Sequence, residues 1–420
     1  MRVKTYQNNL RMAVNTKKDV DVVSFKIFVT AGAKDEKTSE YGYAHFLEHM
    51  FFKSTKRHAG EEILKKLDDL GASKNAYTSV SKTCYYFKSI SSVFEECLKM
   101  YSEMFFNQTF SKEEIEKEKL VILEEYKMGE DNPTKKCIQS AYNRLFAGTP
   151  LGHNVIGTEN SIKSVTAGKL LNFKNRTYLP NNIVISISGN ISFKQADKLI
   201  NKYFIRNFKN EEVMEIYKPL KYLKLSVDNK YVAKKKDNKQ VEVYIMIDLK
   251  ERTRQERIAF NLLFAILGYG MSSRFFEVIR GREGLVYNID AGCSKICNNF
   301  VAEIIFATSP ENVAKALISI KKIIKLCSSG DISEEELART KNQFISGLIF
   351  SSESNSVIAE NNALDLIEYG KIYGEKQVSR EYMDISLEDV TNCAKQIDCE
   401  ENFVISAVGP VLKKDLKIFI

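Results

Sequence analysis

The chain has 420 residues, of which 44% are hydrophobic and 28% are charged, and it contains 6 proline and 20 glycine residues against 25 phenylalanine and 20 tyrosine residues. This composition excludes disordered, collagen-like and low-complexity chains, and the length predicts about two to four domains. The formal net charge of +8 at pH 7 is a small excess among many charged residues, and it gives little support for a nucleic-acid partner. Only 4 histidines occur in the whole chain, so their positions are informative.

The sequence contains no apolar run that approaches the ~18–20 residues of a membrane span, and its N-terminus does not have the pattern of an export signal. The 8 cysteines are scattered and form no paired C-x-x-C motifs. We therefore expect a cytoplasmic protein with reduced thiols and no membrane partner.

The first half alternates strands and helices in a definite order. Apolar periodicity and glycine positions predict strands over residues 21–31, 75–80, 84–90 and 183–188. They predict helices over residues 44–52, 59–70, 93–106, 112–128, 135–146, 167–177 and 193–208.

The second half repeats this order. Strands are predicted over residues 241–249, 285–291 and 301–307, and helices over 258–267, 274–280 and several segments up to 397. Residues 182–189 resemble residues 402–409, and residues 111–115 resemble residues 333–337. Matches at nearly one separation indicate an internal duplication. We predict a first domain over 1–212, a linker over 213–222 and a second, homologous domain over 223–420.

Two of the four histidines lie in His45-Phe46-Leu47-Glu48-His49, which has the pattern H-x-x-E-H. Chance alone would give roughly 0.005 such matches per chain of this composition, so the motif is specific. On a helix, residues four apart share a face, so both imidazoles can reach one ion with Glu48 beside them. Imidazole and carboxylate ligands with an open water position are typical of catalytic zinc, where a nearby carboxylate can take the water's proton.

Two histidines leave such a metal one protein ligand short, and the acidic helix predicted over residues 112–128 offers candidates. Its apolar face is predicted at residues 120–123, and Glu118 and Glu125 lie about two turns apart on one side. A carboxylate held against an apolar face needs a partner, which a metal supplies. Periodicity does not choose between Glu124 and Glu125.

The segment around the motif, residues 42–55, resembles the zinc helix of the pitrilysin/insulinase family of inverzincin metallopeptidases. This family includes the mitochondrial processing peptidases and their single-chain bacterial relatives, and the resemblance covers essentially the whole chain. It implies that His45, His49 and Glu125 bind one zinc ion per chain. It also implies that Glu48 is the general base and that Glu118 is the acid that orients the site.

Two further segments are similar to the same family. Residues 71–78 resemble a segment in which Asn75 and Ala76 belong to an edge strand that binds extended substrate. Residues 270–287 resemble a segment whose Arg280 and Tyr287 would hold substrate carbonyls or the developing oxyanion. Without the resemblance, Arg280 would be read as a surface charge and Tyr287 as a core aromatic.

The resemblance implies an α+β protein of two homologous α/β halves. Each half would be a mostly antiparallel sheet packed against helices, and the two halves would face each other as a clam shell. Aligning Gly71 with Gly284 places Ile258, Asn261 and Leu262 where the first half has His45, Glu48 and His49, so the second half lacks the ligands. Because the chain has both the metal motif and the Arg280 segment, we expect a homodimer, with a heterodimer as the alternative.

The predicted function is that of a zinc metalloendopeptidase which cleaves unfolded peptides or precursor segments inside a chamber. The alternative is a non-catalytic scaffold or partner subunit of a heterodimeric processing peptidase. Such subunits commonly lose a ligand or the base, and here His45, Glu48, His49 and Glu125 are all present. A nucleic-acid binder is not expected, because no basic stripe with interleaved aromatics occurs.

Overall fold

The computed structural model describes residues 1–208, 216, 218, 220–225, 231–234, 237–397 and 403–417. The chain divides into two compact units. The first comprises Met1–Tyr126, Asn154–Pro219 and Phe350–Tyr373, and the second comprises Lys127–His153, Leu220–Ile349 and Gly374–Ile420. Unlike the predicted domains 1–212 and 223–420, these units exchange two short segments of chain. The predicted linker, residues 213–222, lies in part outside the described residues.

The elements before residue 208 follow the predicted order, with two additional strands near the N-terminus and one additional short helix between the predicted helices 135–146 and 167–177. The strands are β1 (Arg2–Thr5), β2 (Arg11–Thr16), β3 (Val22–Val29), β4 (Ser73–Thr78), β5 (Thr83–Ile90) and β6 (Ile183–Gly189). The helices are α1 (Tyr43–Met50), α2 (Gly60–Asp69), α3 (Phe94–Phe106), α4 (Lys112–Asp131), α5 (Pro133–Leu145), α6 (Glu159–Lys163), α7 (Ala167–Thr177) and α8 (Phe193–Tyr203).

The later elements repeat the pattern. The strands are β7 (Tyr231–Lys234), β8 (Val241–Asp248), β9 (Asn288–Ile296), β10 (Asn299–Thr308) and β11 (Phe403–Val408). The helices are α9 (Arg254–Gly268), α10 (Val313–Ser328), α11 (Glu334–Ser351), α12 (Asn355–Tyr369), α13 (Glu375–Met383), α14 (Leu387–Lys395) and α15 (Lys413–Leu416). A π-helix, Phe276–Arg282, replaces the α-helix predicted over 274–280. Of the helices in the described part of the chain, none combines the length and apolar character needed to cross a membrane.

The two sheets share one topology. Within the described residues, the first sheet has the order β1-β2-β6-β3-β5-β4 and the second has the order β7-β11-β8-β10-β9. In each sheet one pair is parallel, β2 with β6 and β7 with β11, and the other neighbouring strands are antiparallel. Apart from β1, the two orders correspond strand by strand, as a duplication requires. The predicted class, mostly antiparallel sheets packed on helices, is confirmed.

One face of the first sheet packs on α3 and α8 through aromatic side chains. Phe25 of β3 and Phe87 of β5 stack with ring centroids 5.1 Å apart, and Tyr101 of α3 lies 4.7 Å from Phe87. Phe51, directly after α1, stacks on Tyr85 of β5 at 4.1 Å. Burial of each such ring stabilises the fold by about 1.5–3 kcal/mol. This cluster therefore fixes the end of α1 against the sheet.

The exchanged segments cover the other face of each sheet. Helix α12, which follows the second sheet's hairpin in the chain, packs on β2, β3 and β6 of the first unit, where Ala363 and Leu366 contact Phe28 and Val184. Helix α5 packs on β8 and β11 of the second unit, where the Cys137 thiol donates to the Ser406 carbonyl at 3.2 Å. Each unit is therefore completed by a helix from the other half of the sequence.

In the second unit, α9 packs on β9 and β10, α14 packs on α9 and α10 packs on α14, and together they bury a core of aliphatic and aromatic side chains. Helix α9 follows β8 as α1 follows β3. The positions aligned with the two histidines, Ile258 and Leu262, are 6% and 0% exposed on α9. The second unit therefore has an apolar core where the first has the histidine motif.

A charged pair ties the π-helix region to α11. Arg274 donates from Nε to Glu336 Oε1 at 2.6 Å and from Nη2 to Glu336 Oε2 at 2.8 Å. Glu336 also accepts from the backbone nitrogen of Ser333, the residue directly before α11, at 2.9 Å. Burial alone would raise the pKa of Glu336, but the hydrogen bonds from Arg274 and Ser333 outweigh it and lower the pKa to about 2.

The charge of Glu336 should therefore stabilise the protein fully near neutral pH and progressively less as the solution becomes acidic. A lowered folded-state pKa contributes stability above the unfolded value of about 4.3, and the contribution is lost as pH falls toward about 2. Glu336→Gln is expected to lower the free energy of unfolding by about 1–3 kcal/mol at pH 7 and by less at pH 3, where part of the contribution is already lost. Urea denaturation of this variant and of exposed Glu335→Gln checks this, and an equal loss at both pH values contradicts it.

Candidate metal centre

The histidine motif forms α1, and a glycine and a carboxylate fix where that helix begins. Gly42 precedes α1 with φ 91°, a conformation that favours glycine, and a Cβ there would lie 2.4 Å from the Ile156 carbonyl oxygen. The buried carboxylate of Glu36 accepts hydrogen bonds from the backbone nitrogens of Gly42 and Ala44, both at 2.8 Å. A carboxylate at the N-terminus stabilises a helix through its unpaired N–H groups.

Three donor side chains converge beside α1. Glu125 Oε2, on α4, lies 3.6 Å from His45 Nε2 and 3.4 Å from His49 Nε2. All three ligand atoms lie within 4.8 Å of one another. Among the described residues, these three form the one histidine, cysteine or carboxylate group compact enough to hold a metal ion.

The spacing of these atoms fits zinc. Zinc lies about 2.0–2.2 Å from nitrogen and oxygen ligands, so two ligand atoms of a tetrahedral site lie about 3.3–3.6 Å apart. The separations of 3.4 and 3.6 Å match this range. The side chains of His45 and His49 are 12% and 20% exposed, while Glu125 is 48% exposed. The donor set is therefore accessible to solvent on the side of Glu125.

Glu118 holds the ring of His49 in place. Its Oε1 lies 2.7 Å from His49 Nδ1, and its Oε2 lies 2.6 Å from Lys53 Nζ. Glu118 is only 4% exposed, so its charge needs both partners. With Nδ1 engaged by Glu118, Nε2 of His49 is directed toward Glu125. Such carboxylate–histidine contacts orient metal ligands.

Glu48 is held on the same helix by a contact from the sheet. Thr78 Oγ1, at the end of β4, donates to Glu48 Oε2 at 2.8 Å. Burial raises the pKa of the Glu48 carboxyl, although the hydrogen bond from Thr78 opposes the shift. Glu48 is therefore a partly buried carboxylate in a fixed orientation, one residue from a histidine of the donor group.

The two imidazoles have different electrostatic surroundings. Burial, assisted by the neighbouring His49, lowers the pKa of His45 to about 4, so its ring is neutral at pH 7. Burial acts in the same direction on His49, but hydrogen bonds with Glu118 and Glu125 outweigh it and raise the pKa to about 9. A ligating imidazole is neutral, so metal binding at His49 has to release a proton.

The predicted apolar face of α4 at residues 120–123 was wrong. Leu120 and Val121 are 66% and 52% exposed, and the buried residues of the helix are Ile115, Glu118 and Ile122. Each helical residue turns by about 100°, so four consecutive residues cannot share one face.

Periodicity left open whether Glu124 or Glu125 is the third ligand, and the structure distinguishes between them. Glu125 is part of the donor group, whereas the neighbouring Glu124 is exposed and is not among its members.

Two contacts of the site were not predicted from the sequence. Thr78 and Lys53 lie in segments that resemble the family, but their partners, Glu48 and Glu118, are 30 and 65 positions away along the chain. Threonine and lysine are common surface residues, so no local pattern marks them as part of a site.

The remaining candidate residues lie in different places. Asn75 and Ala76 are on β4, which forms an edge of the first sheet as predicted. Arg280 lies on the π-helix of the second unit, with its guanidinium carbon 5.6 Å from the centre of the Tyr287 ring. Tyr287 is 78% exposed, so it is not a core aromatic. The roles of Arg280 and Tyr287 in binding substrate stay predictions.

Replacing Glu118 is expected to weaken zinc binding. Glu118→Gln removes the charge that pairs with His49 and Lys53, and such changes typically lower metal affinity by about 10–100-fold. Competition with a fluorescent zinc chelator measures the affinity. Glu116→Gln, on the exposed side of the same helix, is the matched control. Equal affinities of the two variants would show that Glu118 does not support the site.

Comparison with known proteins assigns the chain to a family. The family model described as insulinase (peptidase family M16) matches residues 11–159, which include the whole donor group. The model described as the peptidase M16 inactive domain matches residues 164–344, which include Arg280 and Tyr287. The chain belongs to the M16, or insulinase, family of peptidases, and the resemblance seen in the motifs is confirmed.

Individual relatives agree with this assignment. The chain is 28% identical over 410 residues to an uncharacterized zinc protease, YmxG, of Bacillus subtilis, and the match covers 97% of each chain. It is also 28% identical over 409 residues to an uncharacterized zinc protease of Rickettsia bellii, again with 97% of each chain covered.

Two solved structures share the fold. The crystal structure of a protease from Helicobacter pylori aligns with a TM-score of 0.88 at 20% identity, covering 97% of this chain and 99% of the other. The structure of a peptidase M16 inactive domain from Pseudomonas fluorescens aligns with a TM-score of 0.89 at 17% identity, covering 98% of both chains.

Proposed function

We propose that this protein is a zinc metalloendopeptidase that hydrolyses unfolded peptides or precursor segments. The observation that supports this most directly is the convergence of His45, His49 and Glu125, in which Glu125 lies from both imidazoles at the separations of tetrahedral zinc ligands. The names of the relatives, zinc proteases, point to the same chemistry.

The side chains of the site have distinct roles in this proposal. His45, His49 and Glu125 would hold the metal, and Glu118 keeps Nε2 of His49 facing it. When bound, zinc supplies a Lewis acid that polarises the substrate carbonyl and makes a bound water acidic. Glu48 would accept a proton from the attacking water and return it to the leaving amine.

The edge strand β4 offers a place for an extended peptide. A peptide can add to an exposed sheet edge through main-chain hydrogen bonds, and this mode suits a peptidase that accepts many sequences. We propose that Asn75 and Ala76 contact the substrate there. Arg280 and Tyr287 would bind substrate carbonyls or the oxyanion, and the active form would be a homodimer, with a heterodimer as the alternative.

The test is digestion of a mixed peptide library with the purified protein, followed by mass spectrometry. We expect cleavage within peptides, its loss when a chelator removes the metal, and its return when zinc is added back. Release of terminal residues alone would contradict the endopeptidase assignment. An intact library with zinc-loaded protein would favour the non-catalytic scaffold or partner subunit.

A further inference from the structure

Helix α12 lies on the face of the first sheet opposite the aromatic core, although its residues follow the second sheet's hairpin in the chain. Glu360 is an acidic residue of this helix, and its carboxylate reaches two strands. Its Oε2 lies 2.5 Å from Lys26 Nζ on β3, and its Oε1 accepts a hydrogen bond from the Tyr77 hydroxyl on β4 at 2.8 Å. One carboxylate therefore ties α12 to a central strand and to the edge strand.

The partners of Glu360 make this contact strong. The Lys26 side chain is 4% exposed, and its ammonium lies 4.6 Å from the centre of the Tyr86 ring. Burial alone would raise the pKa of Glu360, but the hydrogen bonds from Lys26 and Tyr77 outweigh it and lower the pKa. Glu360 is therefore an anion that pairs with a buried cation, and removing one partner of such a pair is costly.

Elsewhere beneath α12, several buried polar atoms have no hydrogen-bond partner among the described residues. They are Arg11 Nε and Nη2, Ser24 Oγ, Ser186 Oγ and Asn362 Nδ2. Buried polar atoms without partners do not stabilise an interface. Arg11 Nη1 donates to the Leu366 carbonyl at 2.6 Å and Ser188 Oγ to Asn355 Oδ1 at 3.2 Å, which hold α12 on β2 and β6, and the carboxylate of Glu360 extends the contact of this helix to the edge strand β4.

Strand β4 connects this contact to the metal centre. Tyr77 and Thr78 are consecutive residues, and successive side chains of a strand point to opposite faces of the sheet. Tyr77 donates to Glu360 on the α12 side, and Thr78 donates to Glu48 on the α1 side. A shift of this short edge strand would move both hydroxyls together.

We propose that Glu360 is a positioning residue: it holds the end of β4 so that Thr78 can orient Glu48 for the reaction. This inference rests on the proposed peptidase function. The first unit then needs the segment Phe350–Tyr373 for the geometry of its general base as well as for its fold. Glu360 touches neither the donor group nor Glu48, so its effect passes through Tyr77 and Thr78.

The test compares Glu360→Gln, Tyr77→Phe and Thr78→Val in peptide cleavage. Each is expected to lower kcat about 5–20-fold and to change KM less than about twofold, because small misplacements of a catalytic group slow the chemistry. If the residues act in series, adding Tyr77→Phe or Glu360→Gln to Thr78→Val lowers kcat by less than about a further twofold. Zinc content should stay at the level of the unchanged protein.

The variants are chosen so that instability does not decide the outcome. Glu360→Gln leaves Lys26 as an unpaired buried cation, whereas Tyr77→Phe removes only a hydroxyl. Tyr77→Phe therefore decides the test if Glu360→Gln fails to fold. Glu353→Gln, exposed in the turn before α12, is the matched control and should keep full activity. Wild-type kcat in Tyr77→Phe, or effects that multiply with Thr78→Val, would overturn the proposal.

Hydrogen exchange separates this proposal from the peptidase function. Tyr77→Phe and Glu360→Gln should speed amide exchange in residues 73–78 relative to Glu353→Gln, whether or not the protein cleaves peptides. Absence of cleavage by the unchanged protein would reject the peptidase function and with it the effect of Glu360 on the reaction. Unchanged exchange in an active protein would reject only the role of Glu360 in holding β4.

Discussion

Glu48→Gln is expected to lower kcat for peptide cleavage by about 10²–10⁴-fold, the range that a positioned general base contributes. Glutamine has nearly the same size and can still accept the hydrogen bond from Thr78, but it cannot take up a proton at neutral pH. Glu48 is not part of the donor group, so the zinc content should not change. Cleavage rate and zinc content are measured on the same preparation.

The control for this prediction is Glu61→Gln, which makes the same change at an exposed position of α2 and should leave both quantities unaltered. Cleavage by Glu48→Gln at the wild-type rate would show that another group accepts the proton. Loss of zinc from this variant would instead indicate that Glu48 is needed to bind the metal.

Glu125→Gln is expected to weaken zinc binding by more than about 100-fold, since even carboxylates that only support a ligand contribute about 10–100-fold. The neighbouring Glu124→Gln should bind zinc as the unchanged protein does, because Glu124 is not part of the donor group. Both affinities are measured by chelator competition, and cleavage at saturating zinc is measured alongside.

This pair of variants addresses the alternative that helical periodicity leaves open. The two residues are adjacent and both exposed, so general effects of removing a negative charge from α4 should be equal in both. Zinc loss from Glu124→Gln with retention in Glu125→Gln would reverse the assignment. Retention in both would place the third ligand elsewhere.

The part of the site that the sequence predicts is the part that lies on one helix. His45, Glu48 and His49 are spaced by the helical repeat, so a local pattern defines their relation. Glu125 lies on α4, and its approach to α1 depends on how the two helices pack. Periodicity of one segment does not contain that information, and only the resemblance to the family distinguished Glu125 from Glu124.

Local sequence patterns predict the fold to a similar extent. Strongly apolar segments such as residues 183–188 and 241–249 were predicted close to their observed bounds as β6 and β8. The strands β1, β2 and β7 were not predicted, because they are short and carry polar residues.

The exchange of α5 and α12 between the units was also not predicted. An amphipathic pattern shows that a helix has a face to bury, but it does not show which sheet receives that face. Contiguous domains were therefore the expectation from the sequence, whereas in the structure α5 packs with the second unit, through Cys137, and α12 packs with the first, through Glu360.

The most direct test of the account is a crystal structure of the zinc-loaded protein with anomalous data collected on both sides of the zinc absorption edge. We predict one zinc peak per chain, about 2.0–2.2 Å from His45 Nε2, His49 Nε2 and a Glu125 carboxylate oxygen. A zinc peak at other residues, or no peak at this group in protein that cleaves peptides, would contradict the account.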